Sequence, residues 1–106
     1  MQPGSKCVVL VDGFIAGVAA LAAVRMEAAS AQCLLLSHVS RECGARVLLA
    51  ELRARGVAPP PPLDMGLRLG EATGALLCVP IVRAAAAVLR DMGTLQETLE
   101  LADAAQ

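Results

Sequence analysis

Apolar positions fall into short unbroken runs early in the chain and long helical stretches late in it. Residues 7–11, Cys-Val-Val-Leu-Val, form a β-rich run closed by Asp12-Gly13. Such a run predicts a strand buried on both faces, as in a parallel sheet. Residues 14–29 are apolar around nearly the whole helical circumference, which predicts a helix buried on more than one side. A second apolar run, 32–36, gives way to Ser37-His38-Val39-Ser40. From 41 to 55 charges alternate with Val47, Leu48, Leu49 and Leu52 at helical spacing, and Gly56 stands where that helix should end. The order strand, helix, strand, helix argues for a right-handed βαβ unit in a parallel sheet.

The second half is punctuated by Pro59 to Pro62, a stiff run that marks a linker. Residues 63–69 alternate apolar and polar with a period of two, a short Gly-containing strand pattern. Residues 70–74 are turn-like. The last long helix is expected to start near Gly74, bend or restart at Pro80, and run to about Met92. Residues 95–102 form a weakly amphipathic stretch that suits one more helix. The whole, 1–106, reads as a single partial domain: a βαβα unit over 7–58, a proline linker over 59–62, and a loop with C-terminal helices over 63–106. Two strands make no stable sheet alone, so the chain looks like the end of a larger α/β domain.

Composition sharpens this. Of 106 residues 57% are hydrophobic, 21 are Ala and 17 Leu, and Phe14 is the single aromatic. A buried methylene is worth about 0.8 kcal/mol, so an Ala-rich core gains little per position and depends on close helix packing. A net charge of −1 with no basic cluster argues against a nucleic-acid module. The longest charge-free apolar runs, 14–24 and 72–82, are 11 residues each, short of the roughly 20 that span a bilayer. No secretory signal pattern follows Met1, and the expected setting is cytoplasmic, without membrane contact. Cys7, Cys33, Cys43 and Cys78 are widely and irregularly spaced and His38 is the only imidazole, so no metal site is expected. Buried, reduced thiols are the expectation.

In open parallel sheets ligands bind where strands end and helices begin. Two such ends are visible, Asp12-Gly13 and the segment 37–40, and both helix starts offer free N–H groups to an anion. Position alone favours Asp12 and Ser40 as ordinary helix caps. Neither a Gly-x-Gly-x-x-Gly nor a P-loop motif occurs. His38 reads as a structural histidine. Gly66, Gly70 and Gly74, four apart, suit turns or close helix packing. Glu71 stands between Leu69 and an apolar helix start. Beside glycine a glutamate is ordinarily a solvated turn residue, but an apolar setting would raise its pKa and suit a general base.

Several blocks occur in a telling order: Val9-Leu-Val-Asp-Gly-Phe-Ile15, Leu36-Ser-His-Val-Ser40, Gly44-Ala-Arg46, Met65-Gly-Leu-Arg-Leu-Gly-Glu-Ala-Thr-Gly-Ala75, and Pro80-Ile-Val-Arg-Ala-Ala. Together they resemble the C-terminal part of the nicotinate-nucleotide–dimethylbenzimidazole phosphoribosyltransferase family over roughly residues 8–94. The Arg-Leu-Gly-Glu block is the most specific. Family members are several times longer. The resemblance implies the end of a doubly wound, Rossmann-like parallel-sheet domain, a homodimer, no cofactor, and residues 63–106 as active-site loop plus helices.

It also implies a reaction: phosphoribosyl moves from nicotinate mononucleotide to 5,6-dimethylbenzimidazole, giving α-ribazole 5′-phosphate and nicotinate in cobalamin lower-ligand assembly. Glu71 matches the family's general base, Leu69 a residue of the base pocket, and Ser40 a residue at the nucleotide phosphate. Asp12 and Gly13 match a strand end near the nucleotide. Ala72 departs from the pattern, since the family usually has Gly after the base. The N-terminal portion of the family is not matched, so the expected partner is that missing portion or a second copy. The alternative function is a truncated, non-catalytic remnant acting as an interaction or structural module.

Overall fold

A short parallel pair organises the N-terminal half. The computed structural model describes residues 7–68 and 70–106. Strand β1 (Val9–Val11) pairs in parallel with β2 (Leu34–Leu36), with Val9 opposite Leu34 and Val11 opposite Leu36. Helix α1 (Phe14–Met26) and a 3-10 turn (Ala28–Cys33) make the crossover, and α2 (Ala45–Ala54) follows β2. The order strand, helix, strand, helix is the one the sequence predicts. Helices α3 (Thr73–Asp91) and α4 (Leu95–Ala104) complete the chain.

The core lies between the pair and the first two helices. Val11, Val24, Leu34, Leu36, Leu48, Leu52 and Val57 are buried together. Gly17 lets α1 close on α2: a Cβ there would stand 2.7 Å from Leu48 Cδ2. Helix α2 ends in a left-handed Gly56, whose N–H bonds the Arg53 carbonyl while the Val57 N–H bonds the Leu52 carbonyl. That is the double bond pattern of a Schellman cap, so the glycine stop predicted from sequence is real and it folds Val57 back onto Leu52.

Other expectations shift. β1 is buried only at its C-terminal end, with Val9 exposed, Leu10 half-buried and Val11 buried. Helix α1 buries only Gly17, Ala20 and Val24, leaving Ile15 and Val18 exposed, and it ends at Met26 because Glu27 turns extended and caps the 3-10 turn through the Ala29 N–H. α2 starts at Ala45, not 41, because Gly44 is left-handed there. Residues 63–68 form no strand beyond one bridge between Leu63 and His38, since Gly66 turns the chain at φ +69°. The segment still runs beside 37–41: Val39 N–H bonds the Leu63 carbonyl and Arg41 N–H that of Leu67. α3 continues through Pro80 without restarting. The Leu76 carbonyl loses its partner there, but both residues are exposed and water can replace it.

Two surfaces depart from a compact domain. The radius of gyration is 17.3 Å, against about 13 Å for a compact chain of this length. Beyond its first turns α3 is exposed, as is all of α4, with Leu89, Met92, Leu95 and Leu101 open to solvent. α3 is the one helix among the described residues long and apolar enough to cross a membrane, with a mean hydropathy of 1.6. Arg83 lies near its middle, where a bilayer would charge about 2.5–3.5 kcal/mol. The cysteines are also more open than expected: only Cys78 is buried, Cys33 is half-buried, and Cys7 and Cys43 are exposed.

Candidate active site

The C-terminal ends of both strands meet the start of α3. Asp12, directly after β1, turns its carboxylate to that helix. Oδ2 accepts the Ala72 N–H at 3.1 Å and Oδ1 the Ala75 N–H at 3.1 Å. These are the N-cap and third residues of α3, and Ala72 has no side-chain acceptor of its own. Asp12 therefore does cap a helix, but the one sixty residues away, with its charge set against the positive end of the helix dipole. The following helix, α1, has no side-chain cap.

Ser37 and His38 fix this junction from β2. Ser37 is fully buried, and its hydroxyl donates to the Val11 carbonyl at 2.7 Å. The imidazole of His38 is buried beneath the first turn of α3, with Nε2 3.6 Å from Asp12 Oδ1. Neither ring nitrogen has a hydrogen-bond partner among the described residues. Gly74 makes the packing possible, since a Cβ there would overlap the ring. Of the three glycines four apart, Gly66 serves a turn and Gly74 close packing.

Ser40 does not cap α2, whose N-cap position is Gly44. Its Oγ accepts the Glu42 N–H at 3.1 Å, which leaves the hydroxyl hydrogen to donate elsewhere. Gly13, Phe14, Ile15, Ser40, Glu42, Arg68 and Gly70 line one cleft of about 380 Å³. The uncapped start of α1, a hydroxyl and a guanidinium thus share one space. Uncapped helix N–H groups with an arginine suit a phosphate or carboxylate. Arg68 lies 3.9 Å from Glu42 across this cleft, so an incoming anion would compete with that carboxylate.

Glu71 adjoins the cleft through Gly70 and is exposed; its Oε1 accepts the Thr73 hydroxyl at 3.1 Å. The apolar shell expected around it is absent among the described residues, and Leu69 lies outside them. Ala72, next to Glu71, holds φ +66°, the left-handed region that glycine tolerates best. The structure thus brings Gly13 and Ser40 into one cleft, places Glu71 next in the chain to its lining residue Gly70, and gives Asp12 to the helix start. Sequence reasoning passed over Arg68 as a cleft cation and Ser37 as the strand clamp. Arg68 opens the Arg-Leu-Gly-Glu block, and a cation three residues before the candidate base was the available signal. Among the described residues no group of three or more His, Cys, Asp or Glu is placed to hold a metal ion.

Comparison with known proteins identifies relatives of this chain. A family model described as phosphoribosyltransferase matches residues 4–99. Over 92 residues the chain is 46% identical to the nicotinate-nucleotide–dimethylbenzimidazole phosphoribosyltransferase of Shewanella loihica, covering 87% of this chain and 25% of that protein. The protein of the same name from Pseudomonas fluorescens is 49% identical over 89 residues, 84% of this chain and 24% of its own length. The chain spans about a quarter of the length of the curated relatives it matches, at their C-terminal part.

Proposed function

The chain belongs to the nicotinate-nucleotide–dimethylbenzimidazole phosphoribosyltransferase family, and we propose that it supplies the general base and part of the nucleotide site for phosphoribosyl transfer from nicotinate mononucleotide to 5,6-dimethylbenzimidazole. The observation that carries this reading is the convergence of Gly13, Ser40 and Arg68 in one cleft whose lining residue Gly70 directly precedes Glu71. The remainder of a doubly wound sheet, and a second copy or an N-terminal portion, would cover the exposed apolar faces of α1, α3 and α4.

In this reading the nucleotide phosphate occupies the cleft, held by the Ser40 hydroxyl, the Arg68 guanidinium and the N–H groups at the start of α1. Glu71 removes the azole N–H proton. The other ring nitrogen then attacks the anomeric carbon of the ribose. The bond from that carbon to the pyridinium nitrogen breaks, its electron pair neutralises the ring, and nicotinate leaves. A positively charged leaving group departs without an acid, so one carboxylate suffices. The Thr73 hydroxyl on Glu71 holds the carboxylate in one orientation before substrate arrives. Leu69, by its place beside Glu71, would line the pocket of the azole.

The test is a turnover assay on this chain combined with the N-terminal three quarters of the Pseudomonas fluorescens relative. Glu71→Gln keeps the shape but cannot take the proton, and general-base loss costs about 10²- to 10⁴-fold. Retention of more than about a tenth of the rate would assign the base elsewhere. No turnover with the wild-type chain, in a complex that does assemble, would favour the non-catalytic module.

A further inference from the structure

Resting on the base role of Glu71, we infer that Asp12 is a positioning residue for that base, acting through the backbone of the α3 start and not by touching substrate. Both carboxylate oxygens are engaged there. Oδ2 holds the N–H of Ala72, the residue directly after Glu71, and Oδ1 that of Ala75. Ala72 sits in the left-handed region at φ +66°, where an L residue stays only if its surroundings hold it. No side chain within α3 supplies that hold, since its N-cap residue is an alanine.

The strand end that carries this carboxylate is itself anchored. The Ser37 hydroxyl donates to the carbonyls of both Val11 and Asp12, at 2.7 and 3.2 Å. On its other side the buried His38 ring stands 3.6 Å from Oδ1 and is packed against Gly74. Upstream, the Leu67 carbonyl is tied to the Arg41 N–H. Glu71 is joined directly to a residue whose amide Asp12 holds. That holds the backbone on the C-terminal side of Glu71, while the Thr73 hydroxyl holds its side chain. A phosphate ligand role suits Asp12 poorly, because a carboxylate opposes a second anion.

A tether predicts a rate effect without a binding effect. In the assembled enzyme Asp12→Ala should lower kcat roughly 10- to 100-fold, the scale of an ångström-sized misplacement. KM for nicotinate mononucleotide should stay within about twofold. Asp12→Asn keeps one acceptor oxygen and should recover part of the rate. Added to Glu71→Gln, Asp12→Ala should cost almost nothing more, because both act on one proton transfer. A raised KM with unchanged kcat, or full additivity with Glu71→Gln, would overturn the proposal.

A second readout, on the chain by itself, does not depend on catalysis. Amide hydrogen exchange of Ala72 and Ala75 should speed up in Asp12→Ala while Leu48 and Leu52 in α2 stay protected. Unchanged exchange at Ala72 and Ala75 overturns the tether. If Asp12→Ala unfolds the chain, Asp12→Asn carries the same comparison. Should Glu71→Gln retain its rate, the base reading falls on that result, and the exchange data still decide whether Asp12 holds the loop.

Discussion

Gly74 and His38 share a space that one added carbon would contest. A Cβ on Gly74 would stand 2.6 Å from His38 Nε2 and 2.7 Å from Cγ, and would overlap Cδ2. Three ring atoms are involved, and the ring is only 3% exposed, so it has no room to swing aside.

Gly74→Ala should therefore destabilise the fold. Alanine gains up to about 1 kcal/mol of helix propensity over glycine. Overpacking a buried site costs about 1–3 kcal/mol, and here the obstacle includes the root of the ring, so the overlap prevails. Denaturant unfolding should show the loss, and repeating it in a His38→Ala background should abolish or reverse it. Gly17→Ala meets chiefly the tip of Leu48 and should cost less. An unchanged midpoint for Gly74→Ala would mean that the helix start does not rest on His38.

Ala72→Gly should act the other way. The left-handed conformation costs an L residue roughly 1–2 kcal/mol, while glycine gives back about 0.5–1 kcal/mol in lost chain entropy. The methyl group is exposed, so no packing is forfeited. The balance predicts a gain of about 0.5–1 kcal/mol, a rise of a few degrees in Tm for a domain of this size. A lower Tm would count against the left-handed geometry.

The legibility of this fold followed the physics of each segment. The runs ending in Val11 and Leu36 and the glycine stop after α2 could be read directly, because period, β-branching and Gly56 all act locally. The start of α2 could not: the charges at 41, 42 and 46 continue the helical pattern, and only the left-handed Gly44 breaks it. Burial failed for Val9, Ile15 and the thiols of Cys7 and Cys43, which are exposed, because tertiary packing and not the local apolar run decides what is covered. At the site, Gly13, Ser40 and Glu71 were marked by lying at strand ends or in the Arg-Leu-Gly-Glu block. The Asp12 bond to α3 was hidden, since sixty residues separate the partners and no local pattern announces a cap supplied from another element.

The four cysteines should separate by reactivity. Burial pushes the Cys78 thiol up from its ordinary range, so at neutral pH it holds less thiolate, and its Sγ is also shielded. Cys7 and Cys43 are exposed, and the half-buried Cys33 donates to the Ser30 carbonyl at 3.2 Å. Iodoacetamide followed by peptide mass analysis should label Cys7 and Cys43 first and Cys78 last. For Cys78 the rise in labelling with pH should set in above the ordinary thiol range. Early labelling of Cys78 in the folded chain would show that α3 does not stay on the core.

Ser40→Ala separates a structural hydroxyl from a ligand-binding one. As structure, Ser40 Oγ accepts only the Glu42 N–H, in a turn ahead of α2. Removing that bond should cost about 0.5–1.5 kcal/mol of stability. As a phosphate donor, the same hydroxyl makes a bond to a charged group, worth about 1.5–3 kcal/mol. At 1.36 kcal/mol per decade that is roughly a 10- to 150-fold rise in KM for nicotinate mononucleotide. The two losses are measured separately, by unfolding and by steady-state kinetics on the assembled enzyme. Because Arg68 and the start of α1 remain in the cleft, binding should weaken without vanishing, and kcat at saturating nucleotide should change little. A modest stability loss with unchanged KM would leave Ser40 as a turn former, and the phosphate would then have to sit on Arg68 and the α1 start alone.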